Sequence, residues 1–199
     1  MKNTLARSIF CAAALLCTVA WNAKAVNIVN NPGFETGSFS GWTVNDPSNF
    51  TNIGNNPLFA HSGTFHANLG AQGVTGSLSQ SLTTVAGTSY TLSFWLANDS
   101  STTPNSFAAF FNGVQVFAIA NSAVFGYTQF TIAGLIATGS STVLDFRYRH
   151  DADFFRLDDI SVDASSVPET ASTIWLALPT FAALGLVYSR RGRKGLVRA

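Results

Sequence analysis

Residues 89–97, S-Y-T-L-S-F-W-L-A, admit little other than a β-strand. Tyr90, Leu92, Phe94 and Leu96 alternate with Ser89, Thr91, Ser93 and Trp95. Side chains on a strand alternate between its two faces, so the first set predicts a core face and Trp95 points away from it. Similar runs recur about every ten residues, broken by Gly, Asn and Pro, as sandwiches and barrels require. They predict further strands at 64–69, 77–82, 127–132, 142–150 and 154–162. Asn112-Gly113, between F-A-A-F-F and V-Q-V-F-A-I, predicts a tight type I′ hairpin. There is no amphipathic helical pattern and no internal repeat. The expectation is an all-β, antiparallel, two-sheet sandwich.

The two ends of the chain have a different texture. Residues 1–25 read as a secretory signal: Lys2 and Arg7, an apolar stretch from Ile9 to Trp21, then the small-x-small site Ala23-Lys24-Ala25. Both cysteines, Cys11 and Cys17, fall inside it. The expected exported domain, residues 26–166, therefore has no disulfide and no thiol nucleophile. Its length suits one domain with a sizeable core. At the other end, Ala171 to Tyr188 carries no charge and is long enough for a short, nearly untilted membrane helix. Membrane helices tolerate a proline such as Pro179. The cluster Arg190, Arg191, Arg193 and Lys194 then belongs on the cytoplasmic side, leaving the domain outside.

Charge and chemistry exclude several classes. The whole chain has a formal net charge of +1, but within 26–166 only Arg147, Arg149 and Arg156 oppose nine carboxylates. An acidic domain is a poor partner for nucleic acid. No G-x-S-x-G, H-E-x-x-H or phosphate-cradling Gly-Lys motif is present. Asp158 and Asp159 are neighbours on a predicted strand and so diverge, and the reading is that the chain is not an enzyme. His61, His66 and His150 are expected at the surface or in turns rather than on zinc.

The C-terminal order of motif, apolar helix and basic cluster resembles the PEP-CTERM sorting signal of Gram-negative bacteria. Val167, Pro168, Glu169 and Thr170 supply the motif, and residues 167–199 the whole signal. Thr170 stands where the commonest form has a second proline, so the match is nearer the V-P-D-S-G-like variant, with Glu169 in place of Asp. The resemblance implies an exosortase-like membrane protease that cuts near the motif and delivers the domain to the cell surface or extracellular matrix.

A second resemblance covers most of residues 26–166. N-P-G-F-E-T-G-S-F-S-G-W (31–42), H-S-G-T-F-H-A-N-L-G (61–70) and F-F-R-L-D-D-I-S-V (154–162) follow in the order seen in galactose-binding-like jelly rolls, especially carbohydrate-binding modules. It implies a jelly-roll sandwich, a non-catalytic role on exopolysaccharide or another glycan, and a structural calcium on Glu35 and Asp158. Alternation puts Asp158 on the face of Ile160 and Val162, and a buried carboxylate wants a cation or hydrogen bonds. The alternative, in which Glu35 caps a turn and Asp158 pairs with Arg156 or Arg147, stays open. Trp95 with Asp145, Arg147 and Arg149 would form a sugar surface if their strands share a sheet; otherwise a loop covers Trp95 and the arginines pair with Asp145 or Asp151. Trp42 is expected in the core. A structural matrix protein without a sugar site and a glycan hydrolase are the competing functions.

Overall fold

The computed structural model describes residues 26–151 and 153–165, so the expected signal segment and the residues 167–199 lie outside the described part. Ten strands run in order: β1 (Thr43–Asn45), β2 (Asn52–Asn55), β3 (Phe65–Leu69), β4 (Gly76–Thr83), β5 (Ser89–Asn98), β6 (Asn105–Phe111), β7 (Val114–Ala120), β8 (Phe125–Ile136), β9 (Ser141–His150) and β10 (Phe155–Ala164). They form two five-stranded sheets, sheet I in the order β1-β4-β9-β6-β7 and sheet II in the order β2-β3-β10-β5-β8. Every pairing is antiparallel. The expected jelly-roll sandwich is what the chain forms.

Alternation explains the core. Tyr90, Leu92, Phe94 and Leu96 of β5 are buried, as are Phe107, Ala109 and Phe111 of β6 and Leu144, Phe146 and Tyr148 of β9. The sheets meet through an aromatic cluster in which Phe94 lies 5.6 Å from Phe107, 5.4 Å from Phe146 and 5.5 Å from Phe117. Edge-on and tilted ring pairs of this kind add about 0.5–1.5 kcal/mol each beyond area burial. Trp42 is buried too; it packs 6.2 Å from Phe146, and its indole N–H donates to the Asn31 carbonyl. The Asn112-Gly113 turn joins β6 and β7 with φ of 53° and 78°, the pair of positive angles that a type I′ hairpin requires.

Two short strands are absent from the sequence reading. β1 and β2 are three and four residues long and lack an apolar alternation, because each lies at a sheet edge and is held chiefly by backbone pairing. The first and last segments are also laced together. Asn27 accepts from the Val162 amide and donates to the Ile160 carbonyl, and the Ile28 amide donates to the Val162 carbonyl.

β10 departs from simple alternation. Its register against β5 shifts between Asp158 and Ser161, and Asp159 sits at φ 44°. The bulge resets the phase: Leu157 and Ile160 both enter the core, while Asp158 pairs opposite Trp95 on the outer side of sheet II. Asp158 is therefore buried, but not on the face of Ile160 and Val162 where alternation put it.

Candidate functional site

The outer face of sheet I gathers three of the four residues read as a sugar surface. Asp145, Arg147 and Arg149 alternate along β9 against the buried Leu144, Phe146 and Tyr148, so all three point away from the core. In register, Asp145 stands between Ser79 of β4 and Phe110 of β6, and Arg147 between Ser77 and Ala108. Ser77 and Ala108 leave Arg147 exposed, while Phe110 beneath it is half-buried. The Arg147 guanidinium carbon lies 4.1 Å above the Phe110 ring centre, and its Nε donates to Asp145 Oδ2 at 2.8 Å. Asp145 Oδ1 is buried and has no hydrogen-bond partner among the described residues. An acceptor left that way costs about 1–3 kcal/mol. Arg149 extends the row and pairs with Asp151 at 2.5 Å; that hydrogen bond holds the Asp151 carboxyl down at about 2.

Trp95 is not part of this surface. It belongs to β5 in sheet II, whereas the charged trio belongs to β9 in sheet I, so the two lie on opposite sides of the sandwich. The expected four-residue cluster is corrected to a trio on β9 with Phe110 as its aromatic member. Trp95 is covered by the segment that joins β2 to β3, not by the β5–β6 loop: the His61 ring stacks on it at 3.8 Å with planes 16° apart. Phe110 was legible. F-A-A-F-F ends in two adjacent phenylalanines, and neighbours on a strand cannot both face the core.

The segment 56–64 forms a strap over the outer face of sheet II, and acidic groups fasten it. Asp158 Oδ2 accepts from the His61 and Ser62 amides at 2.9 and 3.3 Å, and its Oδ1 from the Asp159 amide at 2.8 Å. Asp159 pairs with His61 Nδ1 at 2.6 Å and accepts from the Ser62 hydroxyl. Glu35 accepts from the Thr64 and Phe65 amides, both at 3.0 Å. Tyr127 donates to the Phe59 carbonyl, and Arg156, itself paired with Asp99, reaches the same oxygen at 3.2 Å. Burial pushes the Asp158 carboxyl up to about 6, reinforced by the neighbouring Asp159 charge and only partly offset by the three amides.

These contacts bear on the calcium reading. Glu35 and Asp158 do converge on the same strap, and a Cβ at Gly33 would stand 3.3 Å from Asp158 Oδ1 and 3.8 Å from Glu35 Cγ. The donors are oxygens, the kind a hard cation takes. Among the described residues no group of three or more His, Cys, Asp or Glu is arranged to hold a metal. Glu35 does cap a turn, as the alternative had it. Asp158 pairs with neither arginine, because Arg156 holds Asp99 and Arg147 holds Asp145. The histidines need correcting as well. His66 and His150 are buried, not at the surface, and burial lowers the pKa of both. His150 Nε2 is 2.8 Å from Asn98 Oδ1.

Comparison with known proteins places this architecture. The chain matches no protein-family model and no curated protein. Among solved structures it is similar to the carbohydrate-binding module TmCBM61 in complex with β-1,4-galactotriose, at 20% identity and a TM-score of 0.60, covering 71% of this chain and all of that one. It is also similar to the CBM22 tandem domain of Paenibacillus barcinonensis Xyn10C, at 20% identity and TM-score 0.54, covering 77% of this chain and 49% of that one. A third is the Clostridium thermocellum Xyn10B CBM22-1–GH10 structure with xylohexaose, at 12% identity and TM-score 0.53, covering 75% of this chain and 30% of that one. At these identities the likeness defines the fold: a jelly roll of the kind found in carbohydrate-binding modules.

Proposed function

We propose that the chain is an exported, non-catalytic carbohydrate-binding protein that grips a glycan on the outer face of sheet I. One observation carries this reading: on the outer sheet face the half-exposed Arg147 guanidinium lies over the Phe110 ring and is held there by Asp145. In this arrangement Phe110 and the Arg147 plane receive the apolar face of a sugar ring. The free N–H groups of Arg147 donate to ring or hydroxyl oxygens, Asp145 holds the guanidinium in place, and Arg149 flanks the trough. Structures of similar fold in complex with galactotriose and xylohexaose support sugar as the ligand class. Export and sorting rest on the sequence. Residues 1–25 direct secretion; Val167 to Thr170, the apolar helix and Arg190 to Lys194 are handled by an exosortase-like membrane protease, which releases the domain to the cell surface or matrix.

Calcium belongs to the same proposal. Bound by Glu35 and Asp158, it would supply positive charge against two carboxylates and tie the opening segment to the closing strand. A glycan array probed with the full chain and with Phe110→Ala and Arg147→Ala variants tests the proposal. The expected result is selective binding to one glycan class by the native chain, reduced at least tenfold in both variants. No binding to any glycan favours a structural matrix role, and glycan cleavage by the native chain would replace the proposal with a hydrolase.

A further inference from the structure

On the opposite side of the sandwich, between the strap and the outer face of sheet II, lies a cavity of about 220 Å³. Its walls are Asn55, Asn56 and Phe59 of the strap side, Asn68 of β3, and Asp99, Phe154 and Arg156 around β10, with Gly54 and His66 as the floor. It shares no residue with the sheet I face.

The cavity is built rather than incidental. A Cβ on Gly54 would overlap the His66 ring, so only glycine at this position lets the imidazole lie flat against β2 and keeps the floor low. Phe59 is held over the opening by its carbonyl, which receives both the Tyr127 hydroxyl and Arg156. Several polar atoms are left for a guest. Asn68 donates through Nδ2 to Asn52, and its side chain also lies against His66; Asn56 uses its Oδ1 on the Leu58 amide, leaving Nδ2; Asp99 uses Oδ1 on Arg156, leaving Oδ2. Among the described residues the buried His66 Nδ1 has no protein partner.

Charge and size select the guest. The one cation in the cavity, Arg156, is neutralised by Asp99, and burial beside Arg156 favours the uncharged imidazole at His66. No net positive charge is available for a phosphate or carboxylate. Uncharged amides and two phenyl rings in one lining suit a ring with hydroxyls on its edge and C–H bonds on its face. The volume is below the roughly 300–1,000 Å³ of pockets that take drug-sized ligands, so one ring fits and an oligomer does not.

We infer that this cavity is a second glycan site, which takes a single neutral sugar unit, such as a chain end, on the side of the sandwich opposite the Phe110 face. It deepens the proposed function and rests on it only for the sugar class. Two sites facing away from each other let one domain bridge two glycan strands, a role suited to a matrix.

The test is saturation-transfer NMR and calorimetry on the full chain in detergent, with galactose, glucose, xylose, mannose and glucuronate each as the probe. At least one neutral monosaccharide should bind at about millimolar affinity. Asn68→Ala and Asn55→Ala should weaken it at least fivefold, and Gly54→Ala, which drives the His66 ring into the cavity, should do the same. Val85→Ala, at an exposed loop position that lines neither site, should leave it unchanged. Melting curves identify any variant that has lost its fold, and Asn55→Ala at the end of β2 serves if Asn68→Ala has. Failure of all four neutral sugars to bind the native chain overturns the cavity site, as does tighter binding of glucuronate than of glucose. Loss of monosaccharide binding in Phe110→Ala with none in Asn68→Ala also overturns it, yet leaves the sheet I proposal standing.

Discussion

Replacing Asp158 by Asn isolates the group that fastens the strap, and its effect should depend on both pH and calcium. Without metal, Asp158 titrates near about 6 in the folded chain and near 3.8 when unfolded. Between those values the folded state binds more protons than the unfolded one. Stability from this group is therefore fully present below about pH 4 and is lost as pH rises through 6. At about 1.36 kcal/mol per pK unit the change is about 3 kcal/mol. His66 and His150 act in the opposite sense, since burial lowers their pKa and acid destabilises the fold through them. Both are present in the variant as well, as are His61, Asp159 and Glu35 around the substituted carboxyl, so they largely cancel in the difference. The assay is urea unfolding of the native chain and Asp158→Asn from about pH 7.5 to about pH 4.5, with linear extrapolation. Over this pH range, in chelator, the native chain should gain about 2 kcal/mol of that change on the variant. In excess calcium the trend should reverse, because the ion takes the ionised carboxylate and its hold weakens in acid. A difference that stays flat with pH in chelator refutes the buried, strained state of Asp158, and identical profiles with and without calcium remove the metal.

Other perturbations probe other parts of the account. Phe146→Ala, at the centre of the inter-sheet aromatic cluster, should cost about 3–5 kcal/mol in the same unfolding assay. His61→Ala uncovers Trp95, so tryptophan emission should shift to the red while far-ultraviolet circular dichroism stays unchanged. Pro168→Ala with Glu169→Ala should leave the protein in the membrane fraction of its native host; release equal to that of the native chain contradicts a sorting motif.

Much of the fold was legible because a period-two pattern is a direct consequence of pleating. Ser89 to Ala97 announced β5, and Asn112-Gly113 its hairpin, without tertiary information. β1 and β2 left no signal, since edge strands of three and four residues need no apolar face. The candidate site was half legible. Alternation along β9 correctly exposes Asp145, Arg147 and Arg149, but which strands share a sheet depends on non-local pairing, and this assigned Trp95 to the wrong side. The bulge at Asp159 was equally invisible: one residue at positive φ exchanged the faces of Asp158 and its neighbours. Burial of His66 arises from the strap and Gly54, neither of which marks itself in a linear pattern.

The most direct test of the central claim is a crystal structure of the chain with the glycan that binds best on the array. The account predicts a sugar ring on the Phe110–Arg147 platform, with one of its oxygens within about 3 Å of an Arg147 guanidinium nitrogen. A sugar bound to the exposed rim of sheet II alone, with the Phe110 face empty, contradicts it.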